Sequence, residues 1–354
     1  VGILSLFQPP RLLLEIDNGR VTDPKSISPS EVAAAVEKLG RLTVQFSRPE
    51  AYASELLCSV NEACRLVREG LEIRFYGHYG QSFDAKVLRH LPDVYNLSVD
   101  CLTVIENEDE ISALTKLKEL RIGVFELDRP DFLKTLPLEH LQRLSFSENR
   151  KRNFDLSPLA ACSQLKQLSI EGHSKGIEAI ATLPHLKELR LRAYAKKHGL
   201  AFLKHAPVLE ELTLILGGRD DIDDLSSKTL TLMQIILVKG LASLGDLSRL
   251  PALRALRIED QIQLKHLDLT GANLERLDVI NCKNLSAIEG LDQQRRLQEF
   301  VASRVALDLN GLRDRDWPAP TRAVWLYSGS RKWNDATEAK LAARNLAGER
   351  GRWP

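Results

Sequence analysis

The chain lacks a membrane-length apolar run, a cysteine framework and any dominant sign of charge, and each absence removes a class of function. No stretch of its 354 residues approaches the roughly 18 consecutive apolar residues of a membrane span. The apolar start Val1–Phe7 is too short, and lacks the basic lead, for a secretory signal. Because the chain begins at Val1 and not at methionine, a leader removed upstream stays open. Lys plus Arg number 49 against 48 Asp plus Glu, interspersed along the chain, so no net field draws nucleic acid or an anionic membrane. Five cysteines, Cys58, Cys64, Cys101, Cys162 and Cys282, are scattered, odd in number and without CxxC spacing. That pattern favours reduced thiols and a cytoplasmic location over a disulfide scaffold.

Catalytic signatures are also missing. There is no Gly-rich phosphate loop, no Gly-x-Ser-x-Gly, no His-Glu-x-x-His and no clustered His/Cys set, so no enzyme, metal or cofactor is expected. The run Asp220-Asp-Ile-Asp-Asp224 lacks the spacing and glycine of a calcium loop and reads as a solvated turn. Glu106-Asn-Glu-Asp-Glu110 reads the same way. Of the dispersed histidines only His78, in Tyr76-Gly-His-Tyr-Gly80, has an unusual setting, which a loop between strand and helix explains.

What the chain does have is a period. Leu-x-x-Leu-x-Leu recurs from residue 94 to 302, and the second apolar position of each copy falls at Leu97, Leu120, Leu144, Leu168, Leu189, Leu212, Ile235, Leu256, Leu277 and Phe300. Neighbouring anchors lie 21, 23 or 24 residues apart, a spacing that marks a repeat array. Side chains alternate along a strand, so Leu186, Leu189 and Leu191 point inward while Glu188, Arg190 and Arg192 point out. One such unit cannot bury its apolar side alone. Stacked units share a core, and their strands form a parallel sheet with return segments behind it.

These phrases, fullest in Leu183-Pro-His-Leu-Lys-Glu-Leu-Arg-Leu191 and Leu250-Pro-Ala-Leu-Arg-Ala-Leu-Arg-Ile258, resemble the leucine-rich repeat (LRR) superfamily in its short bacterial, internalin-like form. The resemblance implies an α/β fold: an LRR solenoid with a curved parallel sheet on the concave face and helices and irregular segments on the convex face. Two departures stand out. The family places Asn or Cys three residues after the strand's last Leu, but here only Asn149 and Cys282 comply, and the other slots hold residues such as Phe125, His173, Tyr194 and Gly217. Leu264-x-x-Leu267-x-Leu269 repeats the strand phrase between two anchors, which predicts an extended return segment on the outer face. Some bacterial LRR proteins carry a ubiquitin-ligase domain with a Cys-x-Asp triplet; no such triplet occurs here.

The ends differ from the array, which runs over 91–312. Residues 1–90 predict strands near Leu12–Ile16, Leu42–Phe46 and Leu71–Phe75, with capped helices opening at Ser28-Pro29-Ser30-Glu31 and Ser47-Arg48-Pro49-Glu50 and closing at Gly40 and Gly70. The apolar faces are Val32, Ala35, Val36 and Leu39 on the first, and Tyr52, Leu56, Val60, Ala63, Cys64 and Val67 on the second. This spacing resembles the long ribonuclease-inhibitor repeats and reads as an N-terminal cap continuous with the sheet, or else as a small separate α/β domain. Residues 313–354 form a C-terminal cap, with a strand over Arg322–Tyr327 and an Ala-rich helix from Asn334 to Leu346, closed by Gly348. Trp317, Trp325, Trp333 and Trp353 all lie there and would seal the end of the core.

The concave face is the remaining candidate. Outward slots of the first half are polar, among them Asn96, Ser98, Glu119, Arg121, Arg190 and Arg192. From the sixth unit on they hold Ile215, Ile236, Val238, Ala255, Ile280 and Val301, followed by Trp325 and Tyr327 and flanked by Arg257, Glu259, Arg276, Asp278 and Glu299. An apolar centre with a charged rim predicts a protein interface; the competing reading is a set of β-formers covered by the chain's own tail. The expected function is a non-enzymatic binder, monomeric when unbound, holding one protein partner. An inhibitor or immunity protein against a cognate toxin domain is the special case, and a secreted effector or adaptor acting on host proteins is the alternative.

Overall fold

The computed structural model describes residues 14–194 and 197–353. The apolar start Val1–Phe7 and the first part of the strand expected over Leu12–Ile16 lie outside the described residues, and Leu14–Ile16 form no strand. The chain forms two compact units, one ending at Leu165 and one beginning at Lys166.

The first unit opens with strands β1 (Arg20–Thr22), β2 (Leu42–Phe46) and β3 (Leu71–Tyr76), joined through helices α1 (Pro29–Leu39) and α2 (Ser54–Val67). Leu42, Val44 and Phe46 are wholly buried, as the alternation of a one-sided strand requires. Helix α1 starts on Pro29 and stops where Gly40 turns to φ 79° and donates its N–H to the Val36 carbonyl at 2.7 Å. The expected capping boxes do not form. Ser28 bonds Ser30 instead of the helix, and Ser47 gives its backbone N–H (2.7 Å) and its hydroxyl (2.6 Å) to Asp23, which delays α2 to Ser54 behind a 3-10 turn at Pro49–Ala51. Leu57, not Leu56, is the buried leucine of α2, and Val67 is only half-buried. Gly70 permits α1 and α2 to meet, since a Cβ there would lie 2.4 Å from Val36 Cγ1.

Beyond β3 the repeats shorten. Strands β4 (Phe83–Asp84), β5 (Asn96–Leu102), β6 (Ile105–Glu106), β7 (Glu119–Val124) and β8 (Arg143–Phe146) follow, with 3-10 turns as returns. The main sheet of this unit is wholly parallel, in the order β1-β2-β3-β5-β7-β8, while β4 and β6 pair separately. His78 does lie in the connection after β3, in the 3-10 turn His78–Gly80. It is fully buried in an aromatic cluster with Phe46, Tyr52, Phe75 and Phe83, its Nε2 2.9 Å from the Tyr52 hydroxyl and its Nδ1 2.9 Å from the Tyr76 carbonyl.

The second unit contains β9 (Gln167–Glu171), β10 (Glu188–Arg192), β11 (Glu211–Ile215), β12 (Leu232–Ile236), β13 (Ala255–Glu259), β14 (His266–Asp268), β15 (Arg276–Ile280), β16 (Ala287–Glu289), β17 (Glu299–Ser303) and β18 (Ala323–Tyr327). All main-sheet pairs are parallel, and their inward register partners are Leu168, Leu189, Leu212, Met233, Leu256, Leu277, Phe300 and Val324. The anchor of the β12 repeat is therefore Met233, two residues before Ile235. Leu230-x-x-Met233-x-Ile235 and Leu232-x-x-Ile235-x-Leu237 both satisfy the skeleton; the first is used, with Leu230 buried and Leu237 exposed. The extended return segment expected near Leu267 is present, since β14 pairs with β16 in a small second sheet. Both units are thus runs of leucine-rich repeat turns with short 3-10 and extended returns.

The turn ladder is irregular, as its slots foretell. In the first unit Asn149 donates to the Val124 and Leu127 carbonyls at 3.2 and 2.7 Å. In the second, Cys282 points its thiol at the Ile258 and Ile280 carbonyls, and Gln261 takes the role of Asn by donating to the Glu259 carbonyl at 2.7 Å. At the end, α3 (Leu309–Asp314) precedes β18, and α4 (Arg331–Ala342) follows it. Helix α4 starts earlier than expected because Ser330 caps the Trp333 N–H, and the chain has left it before Asn345, which sits at φ 59°. Residues 346–348 then run antiparallel to β18, through Val324 N–H to the Leu346 carbonyl and Gly348 N–H to the Arg322 carbonyl, both 2.8 Å. The tryptophans divide their work. Trp317 packs on Phe300 at 5.0 Å between ring centres, and Trp333 donates to Asn310 of α3. Trp353 lies on the sheet.

Candidate functional site

On the second unit's sheet, the register sorts side chains of the open face into rows. One row holds Gln167, Glu188, Glu211, Leu232, Ala255, Arg276 and Glu299; the next Arg190, Thr213, Gln234, Arg257, Asp278, Val301 and Trp325; the third Glu171, Arg192, Ile215, Ile236, Glu259, Ile280, Ser303 and Tyr327. Ile215 and Ile236 are direct register partners, and Glu259 separates Ile236 from Ile280. All three isoleucines are half-buried. Tyr327 is 37% exposed and Trp325 half-buried, with 6.3 Å between their ring centres.

Four expected members of the face are hidden: Val238, Val301, Asp278 and Glu299. A slip of two residues preserves strand parity, so Ile236 keeps its outward place, but Val238 moves from a strand position into the slot that Asn149 and Cys282 fill in their own turns, and it is buried there. Val301 is buried between its register partners Asp278 and Trp325, and Asp278 and Glu299 are buried where residues 350–353 bond to them. Asp278 Oδ2 accepts from Arg350 Nη2 at 2.6 Å and from Trp353 Nε1 at 2.7 Å. Glu299 Oε2 accepts the Gly351 N–H at 3.1 Å, and Arg276 donates to the Arg352 carbonyl at 3.3 Å. The Arg276 guanidinium sits 4.1 Å from the centre of the Trp353 ring, a cation–π contact. Nearer the middle of the sheet Arg257 turns back to pair with Glu259.

The sequence reading missed Leu216 and Leu237. Each follows its strand directly, in a column of turn residues held at positive φ: Ala193 (49°), Leu216 (61°), Leu237 (53°), Asp260 (58°), Asn281 (53°) and Arg304 (53°). Asp and Asn suit this left-handed conformation, whereas a leucine there carries a cost of roughly 1–2 kcal/mol. Leu216 is 39% and Leu237 48% exposed, beside Ile215 and Ile236, with Ile262 at 60% exposure in the next repeat. The signal was present in the paired phrases Ile215-Leu216 and Ile236-Leu237, once the strand ends were known.

Charge is unevenly balanced around this patch. On one side Glu188 and Glu211 are register partners, and burial, then the neighbouring Glu188 and Glu210, push the Glu211 carboxyl above its ordinary range. The acidic run near Asp220 is spent on turns: Asp224 accepts the Leu200 N–H and pairs with Arg219, and Asp223 pairs with Arg249. The open face of the first unit is a closed polar network, in which Glu72 accepts from Ser98 at 2.5 Å, Thr43 at 3.0 Å and Arg41 at 3.2 Å. Burial pushes the Glu72 carboxyl up, but the Ser98 hydrogen bond and the Arg41 charge outweigh it and leave the group below its ordinary value.

No protein-family model matches this chain, and no curated protein matches it either. Solved structures do. An internalin of Listeria monocytogenes aligns at 13% identity and a TM-score of 0.42, covering 86% of this chain and 90% of that one. An LRR protein of Leptospira interrogans aligns at 15% identity and a TM-score of 0.40, covering 80% and 88%. A chain of the Toll–Spatzle complex of Drosophila aligns at 12% identity and a TM-score of 0.39, covering 87% of this chain and 53% of that one. The assignment of the fold rests on this chain's own repeat register and parallel ladders.

Proposed function

We propose that this chain is a non-enzymatic scaffold that binds one protein partner through the open sheet face of its second unit, centred on Ile215, Leu216, Ile236 and Leu237. The observation that carries the reading is the pair of solvent-exposed leucines in left-handed backbone at successive repeats. Their exposure gives the core little, and their conformation costs stability, so a contact outside the fold accounts for them. Arg190, Arg192 and the Arg257–Glu259 pair form the charged surround.

Chemistry within the chain supports a binder over a catalyst. Burial pushes the Cys64 and Cys162 thiols up to about 12 and Cys282 up to about 11, which keeps them from acting as thiolates. Burial likewise lowers the pKa of His78, whose ring is already committed to Tyr52 and Tyr76. Five unpaired thiols suit a reducing compartment, so we place the protein in the cytoplasm, as a monomer when unbound. Among the described residues no helix is long and apolar enough to cross a membrane. An inhibitor that occludes a toxin domain is the particular form we propose, because occlusion needs only a rigid complementary face.

The test is affinity capture from the native organism with the wild-type chain and an Ile236→Asp/Leu237→Asp double variant, followed by reconstitution of purified components. A stoichiometric complex formed by the wild type and lost in the folded variant supports the reading. Equal binding by both proteins moves the interface elsewhere.

A further inference from the structure

Asp278 has a side chain with no exposure at all, yet it lies on the outward row of β15, where a carboxylate would ordinarily meet water. A buried charge needs close donors. Its own sheet supplies only Arg276, at 3.3 and 3.5 Å, while the two short bonds, 2.6 and 2.7 Å, come from Arg350 and Trp353. Beside it the Glu299 side chain is 6% exposed and takes the Gly351 N–H. The approach is close: a Cβ at Gly351 would lie 3.2 Å from Arg276 Nη1. Residues 349–353 are not in a helix or strand, and the contacts holding them are hydrogen bonds to charged side chains of the sheet and a ring stacked on a guanidinium, none of which depends on the segment being part of this chain.

We propose that the face of β15 and β17 is a recognition site for an extended basic–aromatic segment, an arginine followed three residues later by tryptophan, and that residues 349–353 are its occupant within the chain. A protein partner presenting a segment of this chemistry takes their place. The proposal rests on the reading that this sheet face binds protein, and it adds which chemistry the partner must carry there. The occupant is tethered, so it competes at an effective concentration on the order of millimolar even if its intrinsic affinity is low. It therefore sets a threshold: weak or poorly matched segments are refused, and a partner that also engages Ile236 and Leu237 gains the surplus needed to displace it. Register places these two contacts within reach of one ligand, because Ile236 is paired with Glu259 and Glu259 with Ile280, the residue two beyond Asp278 on the same strand.

The test uses a synthetic peptide with the sequence of residues 348–353, labelled at its N-terminus, and fluorescence anisotropy against the full chain. Arg350→Ala/Trp353→Ala frees the site; this variant should bind the peptide at least about tenfold more tightly than the wild type, whose site is filled. Adding Asp278→Asn should remove that gain. Peptides with alanine in place of either the arginine or the tryptophan should lose about tenfold in the freed protein, a test independent of any further folding change. Equal binding to the freed and intact proteins, or equal binding of all peptides, overturns the proposal. The experiment needs no natural partner, so peptide binding with a failed capture at Ile236 and Leu237 refutes the patch alone, and the reverse refutes the recognition site on β15 and β17 alone.

Discussion

Met233 stands opposite Leu212 across β11 and β12, which places Leu230 in the core and Leu232 on the open face. Leu230→Asp should therefore destabilise the protein by several kcal/mol or prevent folding, as should Leu189→Asp or Leu212→Asp, since each puts an unpaired charge into the shared core. Leu232→Asp should cost much less. Urea denaturation of the two β12 variants reads the register directly: a larger loss for Leu232→Asp than for Leu230→Asp would restore Ile235 as the anchor.

Leu237→Gly should stabilise the chain, by up to about 1 kcal/mol, because glycine adopts positive φ without the steric cost and little buried area is given up. Leu216→Gly should behave alike. A lower melting temperature for both would show that these leucines pack in a way that their exposure does not suggest, and would weaken the case for a contact surface.

Glu211→Gln should raise the melting temperature at pH 7. The folded carboxyl has a raised pKa, through burial first and the Glu188 and Glu210 charges next, so the folded state holds its proton more tightly than the unfolded state does. Stability is therefore lost as pH rises from the ordinary glutamate range through the raised value, and the loss is absent below both. The advantage of the glutamine variant should shrink at pH 4. An advantage equal at both pH values would point to packing.

Two thiols should react readily with a disulfide reagent in the native protein, and five after unfolding, because Cys58 and Cys101 are exposed while Cys64, Cys162 and Cys282 are buried. Cys101 should be the slower of the exposed pair, its thiol being pushed up by partial burial, Asp100 and Glu148. A rapid native titre above two would mean that a repeat opens locally.

The period, the parallel sheet and the extended outer segment at Leu267 were legible because each repeats a strand phrase whose side chains alternate. The β12 register was not, because Leu230-Met233-Ile235 and Leu232-Ile235-Leu237 satisfy the same pattern and only neighbouring strands choose between them. The helix starts misled: Ser47 has the residue type of a cap, but a carboxylate distant in sequence, Asp23, claims it. On the candidate face, Ile236 could be placed by parity alone. Cover by the tail could be read only as an alternative, and that it falls on Asp278 could not, since Arg350 and Trp353 carry no periodic signature and reach the sheet only through the chain's curl back past β18.

That curl also settles how the ladder ends. A stack of parallel strands contains nothing that counts its turns, and the last strand offers the next molecule the same backbone template that it offered to its own chain. Residues 346–348 occupy the outer edge of β18 running the opposite way. A further copy arriving at this edge would find a short strand of reversed direction, so the parallel ladder is not continued there.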